Sequence, residues 1–416
     1  MINRNILCID LKSFFASCEC VERGLDPFKY PLVVANKNQG GGAITLAVTP
    51  YLKTLGVPSR GRIYEIKKDI KYEIVNPRMQ LYINKSKEVI SIYLNYIDNK
   101  DLHIYSIDEC FLDVTNYLKL YKKTPYELAK EILDTIYEKT GLTATCGIGP
   151  NMLLAKVSMD IEAKHNASNI AKWAYEDVTN KLWSITPLSK MWGIGKRMEY
   201  HLNKLQIFSV GDLAKYNPHK LKDKFGIIGF ELWQHANGID NSIISDFKNN
   251  VIKDKSYSNS QILFRDYVGD EIKLIISEMV DVVVSRLRRN RKVSRCIGLG
   301  IGYSKSVGGG FYHAINLDNP TDIVKDILAI CNLIFDKYYD DLPIRKVSVS
   351  CSRITSKVGV QLSLFDDLAN NDDLKINTVI DEIKEKYGKN SILKASSLLD
   401  YSTIIMRNKK IGGHNE

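Results

Sequence analysis

Three acidic residues stand where predicted strands end, and carboxylates at such positions can hold metal ions. Asp10 closes an apolar run at the N-terminus, and Asp108 and Glu109 interrupt the apolar stretch YSIDECFLDVT at 105–115. Adjacent carboxylates repel each other, and burying them costs free energy unless a cation or a donor compensates. Three carboxylates at one sheet edge would suit a pair of Mg²⁺ ions, which can activate an attacking hydroxyl and stabilise a leaving pyrophosphate. The alternative is that Asp108 and Glu109 form a solvated turn, and the acids alone do not decide between the two.

Hydrophobic patterning predicts the elements that position these acids. Residues 2–9 form a predicted strand, and a helix that Ser13 can cap follows it. The runs LHIYSI and CFLDV predict a β-hairpin with Asp108 and Glu109 at or near its tip. Helices are expected over 86–97, 125–139 and 151–164, with the strand TATCGIG between the last two. Mixed strands and helices of this kind predict one sheet covered by helices.

The second half of the chain has a different pattern. Residues 167–236 show only helical patterns with glycine-centred turns, and the polar stretch NGIDNSIISDFKNN after them predicts a linker. Beyond it we expect a strand near 257–264, a helix over 270–289, strands near 295–303 and 311–316, and a helix over 321–338. The strand KVSVSCSRI closes this unit. The order is β-α-β-β-α-β, which predicts a small split βαβ domain.

Length and composition limit the class of protein. A chain of 416 residues is long enough for several domains. Its formal net charge of +10 favours an anionic partner, with nucleic acid the leading candidate. Asp10 interrupts the N-terminal apolar run too early for a signal peptide, and no run approaches the roughly 20 apolar residues that span a bilayer. The eight cysteines include no CxxC pair, so we expect reduced thiols in the cytoplasm and no zinc site.

The two acidic stretches, ILCIDLKSFFASCE and YSIDECFLDVT, resemble the acidic motifs of the Y-family lesion-bypass DNA polymerases, and most closely the UmuC branch. The resemblance extends over nearly the whole chain. It implies an α+β multidomain fold, a right-hand polymerase with a mixed-sheet palm, small fingers, a helical thumb and a β-α-β-β-α-β little finger. The implied ranges are palm 1–20 and 77–166, fingers 21–76, helix-hairpin-helix thumb 167–236, linker 237–252, little finger 253–358 and tail 359–416.

The resemblance also implies the reaction and its metal ligands. Members of the family join deoxynucleotides (dNTPs) to a primer 3′-hydroxyl with two Mg²⁺ ions, at low fidelity and without proofreading, in the response to DNA damage that includes the SOS response. Asp10, Asp108 and Glu109 match the metal-binding carboxylates of the family, and Leu11 would lend its backbone carbonyl to one ion. The implied enzyme class is a nucleotidyltransferase, a DNA-directed DNA polymerase acting at the nucleoid.

Further residues match positions that contact the incoming nucleotide in the family. Phe15 matches the steric gate, an aromatic side chain that leaves no room for a 2′-hydroxyl. Only one of Phe14 and Phe15 can face the core from a helix, so the other needs a reason to be exposed. Lys53 and Lys164 match the residues that bind the triphosphate, although Lys164 comes one residue later than the family spacing. Pro50 stands where many members have a tyrosine that contacts the phosphate.

Two stretches are predicted to hold DNA. MWGIGKRMEYHLNKL indicates a helix, a Gly-Ile-Gly turn and a second helix, and it resembles the helix-hairpin-helix of the family's thumb. Its expected backbone contacts to phosphate are Gly193, Gly195 and Lys196. SRLRRNRKVSRC carries more positive charge than a helix dipole needs, and we expect it to follow the phosphates from the little finger. Its basic residues are Arg286, Arg288, Arg289, Arg291, Lys292 and Arg295.

The tail carries the stretch QLSLFDD, which nearly matches the peptide that binds the bacterial sliding clamp, the β subunit. Gln361 would supply hydrogen bonds, and Leu362, Leu364 and Phe365 would enter a preformed groove. The alternative is that these apolar side chains pack back on the body of the protein. The resemblance to UmuC also allows for an accessory protein of the UmuD kind.

A different class of function is also consistent with the sequence, a non-catalytic factor that descends from such a polymerase and binds damaged DNA or the clamp. Pro50 and the shifted Lys164 leave this alternative open, whereas the presence of all the acids gives it no support. Residues 370–416 carry a helical pattern and a basic end, and the sequence assigns them no chemistry.

Overall fold

The computed structural model describes residues 4–249, 256–357, 369–411 and 414–415. It divides into two compact units, Met1–Asn250 with His414–Glu416, and Val251–Gly413. The first unit contains, in chain order, β1 (Ile6–Leu11), α1 (Phe14–Val21), β2 (Leu32–Val34), β3 (Ala47–Val48), α2 (Pro50–Thr54), β4 (Glu73–Val75), α3 (Met79–Tyr93), β5 (Leu102–Ile104), β6 (Glu109–Asp113), α4 (Leu118–Tyr121), α5 (Pro125–Thr140), β7 (Ala144–Gly149), α6 (Met152–Ile161), β8 (Ile170–Lys172), α7 (Lys196–Asn203), α8 (Val210–Lys215), α9 (Pro218–Phe225), α10 (Ile227–Ala236) and α11 (Asp246–Asn249).

The main sheet of the first unit has five strands in the order β5-β6-β1-β7-β8. Strand β1 lies in the centre and pairs antiparallel with both β6 and β7. Its residues are apolar on both faces, because Leu7 and Ile9 pack in the core with α1, α3 and α5, while Ile6 and Cys8 pack against α6. The strand is therefore fixed from both sides, and its C-terminal end carries Asp10 to a defined position.

Helix α6 lies unusually close to the sheet because of two glycines in β7. A Cβ atom at Gly147 would stand 2.0 Å from the carbonyl oxygen of Ala155, and one at Gly149 would stand 2.4 Å from the amide nitrogen of Ala155. Only glycine permits this approach. The side chain of Asn151 begins the helix by accepting a hydrogen bond from the amide of Leu154 at 2.8 Å. This close packing brings the polar residues of α6 to the edge of the sheet.

The helix predicted over 86–97 is present, but its boundaries lie nearer the N-terminus. Helix α3 runs from Met79 to Tyr93, so it starts shortly after Pro77 and stops before the predicted end. A proline disfavours helical backbone in the residue before it, so Pro77 limits how far this helix can extend towards the N-terminus. The shift matters because it brings Tyr82 into the helix and into the core next to α1.

Two smaller parts complete the first unit. Strands β3, β2 and β4 form a three-stranded sheet that packs with α2 around its own small core, within the range expected for the fingers. Helices α7–α10 enclose another core, within the range expected for the thumb. The segment expected as a linker starts by packing on this unit, since the carbonyl of Gly238 accepts from Asn151 at 2.9 Å and Asp240 accepts from the amide of Leu153 at 3.0 Å.

The second unit has the predicted β-α-β-β-α-β order. Its strands form an antiparallel sheet in the order β11-β10-β12-β9, and α12 and α13 pack on one face. The predicted stripe on α12, including Ile272, Ile276 and Met279, is fully buried. The elements of this unit are β9 (Tyr257–Tyr267), α12 (Glu271–Arg289), β10 (Lys292–Tyr303), β11 (Gly310–Thr321), α13 (Val324–Tyr338), β12 (Ile344–Ser356), α14 (Ala369–Tyr387), α15 (Ile404–Asn408) and the short strand Lys410–Ile411. The last short strand, His414–Asn415, is counted with the first unit.

The end of the chain is part of this second unit. Glu278 of α12 is 3% exposed, and its carboxylate accepts hydrogen bonds from the side chains of Ser402 and Thr403. Arg407 donates to the carbonyl of Glu278 at 3.3 Å and to Gln261 of β9 at 3.0 Å. Residues 402–407, to which the sequence assigned no chemistry, therefore attach the tail to α12.

All eight cysteines are free, and only Cys296 is not fully buried. Within the described ranges, no helix has the length and apolar character needed to cross a membrane.

Candidate active site

The three predicted acids come together at the end of the central strands. Asp10 of β1 stands directly opposite Glu109 of β6 in the antiparallel register. Asp108 lies in the turn before β6, and its carbonyl accepts a hydrogen bond from the amide of Leu11 at 2.9 Å. The hydroxyl of Ser106 donates to the Asp108 carboxylate at 2.7 Å. The hairpin predicted from the sequence thus places the two neighbouring acids beside Asp10.

Glu109 has a buried protein cation as its partner. The ammonium of Lys156, on α6, lies 2.8 Å from Glu109 Oε2, and both residues are buried. The thiol of Cys8 donates to the other carboxylate oxygen at 3.3 Å. Burial would lower the pKa of Lys156, but the acidic groups around it raise the pKa above its usual value, so the residue stays charged. Both oxygens of Glu109 are therefore engaged by protein donors.

A second lysine engages Asp10 in the same way. Lys164 lies just beyond α6, and its ammonium is 3.5 Å from Asp10 Oδ1. It also contacts Asp160 Oδ1 at 2.8 Å. The ammonium of Lys156 lies 3.0 Å from the other carboxylate oxygen of Asp160, Oδ2. Burial would lower the pKa of Lys164, but Asp10 and Asp160 outweigh this and raise it. The predicted residue Lys164 therefore reaches the acids despite its shifted spacing.

The types of ligand in this cluster suit Mg²⁺, because they are carboxylates and the neighbouring backbone carbonyl of Leu11. Burial raises the pKa of Asp10 to about 6, with Lys164 opposing the rise and Asp108 and Glu109 adding to it. A nearby divalent cation would favour the ionised form of this carboxylate and so oppose the effect of burial. In the part of the chain that the structure describes, however, no group of three or more His, Cys, Asp or Glu side chains is arranged to hold a metal ion as it stands. Lys156 and Lys164 engage two of the acids, and the side chains must move for a cation to bind.

Two further lysines face this region. Lys12, in the turn after β1, donates to the side chain of Asn169 at 2.5 Å. The predicted Lys53 is exposed on α2, and its pKa is lowered, first because nearby protein removes part of its hydration and then because Lys164 and Lys12 repel it. Asp10 opposes this shift. Lys12, Lys53 and Lys164 thus form a positive surface around the acidic cluster, suited to a polyanion.

The two phenylalanines of α1 differ in burial, and both pack against the core of the first unit. Phe14 is buried, whereas Phe15 is only partly buried and stacks on Tyr82 of α3, with ring centroids 4.4 Å apart and planes 15° from parallel. The hydroxyl of Tyr82 donates to Glu19 Oε1 at 2.8 Å. The ring of Phe15 is therefore supported from behind by a second aromatic ring whose own position is fixed.

Glu19 is the centre of that support. Its side chain is fully buried on α1 and pairs with Arg78 at 2.7 Å and with Arg23. Burial alone would raise the pKa of Glu19, but the hydrogen bonds from Arg78, Arg23 and Tyr82 lower it below its usual value. The ionised carboxylate thus ties α1 to the start of α3.

Comparison with known proteins gives consistent assignments along the chain. Residues 9–160 match the impB/mucB/samB family, residues 254–364 match the C-terminal domain of the same family, and residues 175–207 match its HHH motif. The chain is 43% identical over 415 residues to the putative UV-damage repair protein UvrX of Bacillus subtilis, covering 99% of this chain and 97% of the relative. It is 34% identical over 420 residues to DNA polymerase IV 2 of the same organism, covering 100% of this chain and 99% of the relative.

The chain belongs to the Y family of lesion-bypass DNA polymerases. Its fold agrees with that of a solved Y-family DNA polymerase chimera, with a TM-score of 0.66 at 20% identity, over 85% of this chain and 99% of the chimera. The predicted family, α+β multidomain fold and enzyme class, a DNA-directed DNA polymerase, are confirmed.

In this Y-family polymerase the predicted thumb contacts are open to solvent. Gly195 caps the start of α7, and neither it nor Gly193 would meet another atom within 4 Å if it carried a Cβ. Gly193 has a φ of 90°, which favours glycine. Lys196 is 79% exposed and pairs with Glu199 of its own helix at 3.4 Å. The geometry leaves these backbone groups free to approach a phosphate, and the DNA contacts remain predictions.

Two arginines of the little-finger cluster, Arg288 and Arg289, pair with acids of the tail helix α14. The side chain of Arg288 is 11% exposed and forms an ion pair with Asp381 of α14 at 2.7 Å. Arg289 lies 3.6 Å from Glu385 of the same helix. An arginine in such an ion pair must leave Asp381 before it can contact a phosphate, so Arg288 anchors the tail in this arrangement and its DNA contact stays a prediction.

The rest of the cluster has a different environment. Arg291 and Arg295 are exposed, Arg286 donates to the carbonyl of Ser258 at 3.1 Å, and Lys292 donates to Ser356 at 2.9 Å. These residues keep their charge near the surface and remain predicted DNA contacts. The predicted clamp-binding residues Gln361, Leu362, Leu364 and Phe365 lie outside the described residues.

Sequence reasoning missed Lys156, Asp160, Glu19 and Tyr82. The first two had a signal, since Lys156, Asp160 and Lys164 recur every fourth residue and so share one side of α6 and its extension. A lysine inside the apolar run MLLAKVSM also needs a buried acid as partner. Glu19 and Tyr82 had no local signal, because their partners come from distant parts of the chain.

Proposed function

We propose that this chain carries out translesion synthesis, adding dNTPs to a primer 3′-hydroxyl opposite damaged template by two-Mg²⁺ phosphoryl transfer. The observation that supports this most strongly is the meeting of Asp10, Asp108 and Glu109 at one sheet edge, with Lys164 3.5 Å from Asp10. A polymerase site needs carboxylates for cations and ammonium groups for a triphosphate within reach of each other.

In this proposal the acids and lysines have separate tasks. Asp10, Asp108 and Glu109, with the carbonyl of Leu11, hold the ions. When bound, Mg²⁺ supplies charge neutralisation at the attacking and leaving oxygens. Lys53 and Lys164 orient the triphosphate, so that catalysis comes mainly from positioning and preorganised charge.

Phe15 screens the sugar in the same proposal. Its ring cannot retreat easily, because Tyr82 stacks behind it at 4.4 Å and is itself hydrogen-bonded to Glu19. A 2′-hydroxyl that approached this ring would meet a rigid surface without a hydrogen-bond partner. Like the family it belongs to, the enzyme would copy at low fidelity and without proofreading.

The proposed partners are primer–template DNA, the sliding clamp and an accessory protein of the UmuD kind. The thumb turn at Gly193–Lys196 and the exposed basic residues of the little finger would hold DNA without reading its sequence. A clamp-binding peptide at 361–365 would keep a weakly bound enzyme near the primer end by raising its local concentration. We place this activity at the nucleoid in the cytoplasm, in the response to DNA damage that includes the SOS response.

Running-start primer extension tests the proposal. The enzyme is given Mg²⁺ and dNTPs on undamaged templates and on templates with one lesion, with and without clamp. We expect extension through the lesion and stimulation by the clamp. Ribonucleotides should be refused by the parent and accepted by Phe15→Ala. Extension that stops before every lesion tested would contradict the translesion assignment.

A second candidate is a non-catalytic factor that binds damaged DNA or the clamp. Its specific support is the pairing of Glu109 with Lys156 and of Asp10 with Lys164, because both acids are already neutralised by the protein. Pro50 adds to this support by removing a phosphate contact of the family. DNA binding without any Mg²⁺-dependent incorporation by the parent enzyme would favour this candidate.

A further inference from the structure

Five charged side chains form a continuous chain of ion pairs along one side of the acidic cluster. Glu109 contacts Lys156 at 2.8 Å, and Lys156 contacts Asp160 at 3.0 Å. Asp160 contacts Lys164 at 2.8 Å, and Lys164 contacts Asp10 at 3.5 Å. The signs alternate throughout. The two ends are acids of the proposed metal site, and Asp160 in the middle is shared by both lysines.

Asp160 owes this position to the helix. It stands four residues after Lys156 on α6 and four residues before Lys164, so the three side chains lie on one side of the helix and its extension. Gly147 and Gly149 let α6 approach the sheet closely, which brings this side of the helix to Glu109. Asp160 is 30% exposed on its side chain, and its carboxylate contacts both lysines.

We propose that Asp160 is a positioning residue that draws Lys156 and Lys164 away from Glu109 and Asp10, so that divalent cations can displace the lysines from these two acids. The inference rests on the proposed function, because it takes Asp10 and Glu109 as ligands of Mg²⁺. Each lysine has two carboxylate partners, and only one of them is a proposed metal ligand. A lysine that loses the ligand to a cation keeps Asp160, and its charge stays compensated.

Removing the charge of Asp160 should weaken cation binding in two ways. Lys164 and Lys156 would each keep a single acidic partner, the proposed metal ligand, and would compete with the cation for it. The cluster would also lose one negative charge that attracts the cation. Both effects weaken cation binding. Mutating residues that orient the metal ligands without touching the metal typically lowers metal affinity by roughly 10–100-fold. We therefore expect Asp160→Asn to lower the cation affinity about tenfold.

Binding of Mn²⁺ to the full-length protein without DNA or nucleotide tests this directly. The loss of the free-ion signal in electron paramagnetic resonance gives the affinity, and Asp108→Asn identifies the binding that belongs to the acidic cluster. Asp160→Asn should weaken that binding about tenfold, and Asp160→Glu should restore most of it. Asp177→Asn is the matched control, because Asp177 is also 30% exposed and also pairs with a lysine four residues away, at 3.5 Å.

Measuring Asp160→Asn in a Lys164→Met protein distinguishes a positioning role of Asp160 from direct binding of the ion by Asp160. Lys164→Met removes one competitor, so it should tighten Mn²⁺ binding although it harms the use of nucleotide. In the Lys164→Met protein, adding Asp160→Asn should cost clearly less than in the parent, because part of its effect passes through Lys164. An equal cost in both backgrounds would mean that Asp160 binds the ion itself or acts by charge alone, and the inference would be wrong.

The failure of this inference differs from failure of the proposed function. If the parent binds Mn²⁺ no better than Asp108→Asn does, the acids are not a metal site and the proposed function loses its basis. If the parent binds and folded Asp160→Asn binds equally well, only the role of Asp160 is refuted. Thermal unfolding without metal establishes that each variant is folded.

Discussion

Two groups of basic side chains in this molecule look alike in sequence and are used differently. Lys156 lies on α6 and Lys164 just beyond its end, and Arg288 and Arg289 end α12; each group is paired with acids. The acids around the lysines include proposed metal ligands at a strand end, so those pairs have to exchange during function. Asp381 and Glu385 belong to a tail helix, so the pairs of Arg288 and Arg289 hold structure together. For these two groups, the role of the basic residue follows from whether its acidic partner has another task.

The largest effect expected from this comparison concerns a structural pair inside the first unit. Glu19→Ala should lower the free energy of unfolding by about 3 kcal/mol, because it leaves Tyr82 without its acceptor and removes a fully buried partner of Arg78. Urea unfolding of the full chain measures this. Glu22→Ala is the control, since Glu22 caps the C-terminal end of the same helix and is 36% exposed in its pair with Lys85. It should cost less than about 1 kcal/mol.

The same residue gives a pH dependence of stability. The folded protein lowers the pKa of Glu19, so its contribution is complete above the unfolded pKa of about 4.3 and is lost as pH falls through the lowered folded value. The difference in unfolding free energy between the parent and Glu19→Gln should therefore shrink below about pH 4. A difference that grows on acidification would contradict the ionised state of Glu19.

The next effect concerns the tail. Arg288→Ala should destabilise the second unit by about 2 kcal/mol, below the range for a fully buried pair because Asp381 is 20% exposed. The rate of amide hydrogen exchange in α14, measured in the full chain, should rise as well. Arg289→Ala is the neighbouring control, with a pair at 3.6 Å that is 59% and 66% exposed. If both variants behave alike, burial of Arg288 does not set its role.

A functional pair should show the opposite behaviour. Lys164→Met should leave the unfolding free energy nearly unchanged while raising KM for dNTP roughly tenfold, or about 1.4 kcal/mol, because it removes a charge that orients the triphosphate. Lys181→Met is the matched control, since Lys181 is 40% exposed and pairs with Glu162 at 3.2 Å away from the acids. A loss of stability without a change in KM would make Lys164 structural.

The smallest effect distinguishes the exposed arginines from the buried one. Neutralising Arg291 and Arg295 together should weaken DNA binding on every sequence and reduce the slope of log affinity against log salt by about 2. Neutralising Arg288 with Arg289 should change that slope by about 1 or less, since Arg288 is already paired with Asp381. Fluorescence anisotropy over a salt series measures both. Equal slopes for the two double variants would show that the tail does not withhold Arg288 from DNA.

The sequence predicted the acidic cluster because it depends on local features. Apolar runs that stop at Asp10 and at Asp108 mark strand ends, and strands of one sheet bring their ends together. The difference in burial between Phe14 and Phe15 followed from helix geometry for a similar reason. The β-α-β-β-α-β order was also readable, because each element has its own hydrophobic period.

The features that the sequence did not predict depend on distant partners. The sequence did not show that Arg288 pairs with Asp381, because the two lie 93 residues apart. The pairing of Lys156 with Glu109 spans 47 residues and depends on how closely α6 packs on β7. Tyr82 was outside the predicted helix, so its stacking on Phe15 could not be expected. A pattern of charges in the sequence indicates that ion pairs form, but the fold determines which residues pair with each other.

The central claim is that the three acids at the end of β1 and β6 hold the cations for nucleotide transfer. Single-nucleotide incorporation by Asp108→Asn, measured with Mg²⁺ under single-turnover conditions beside primer–template affinity, tests it most directly. We predict a rate lower by roughly a thousandfold or more, equivalent to several kcal/mol of transition-state stabilisation, with DNA affinity nearly unchanged. Incorporation at close to the parent rate would contradict the account.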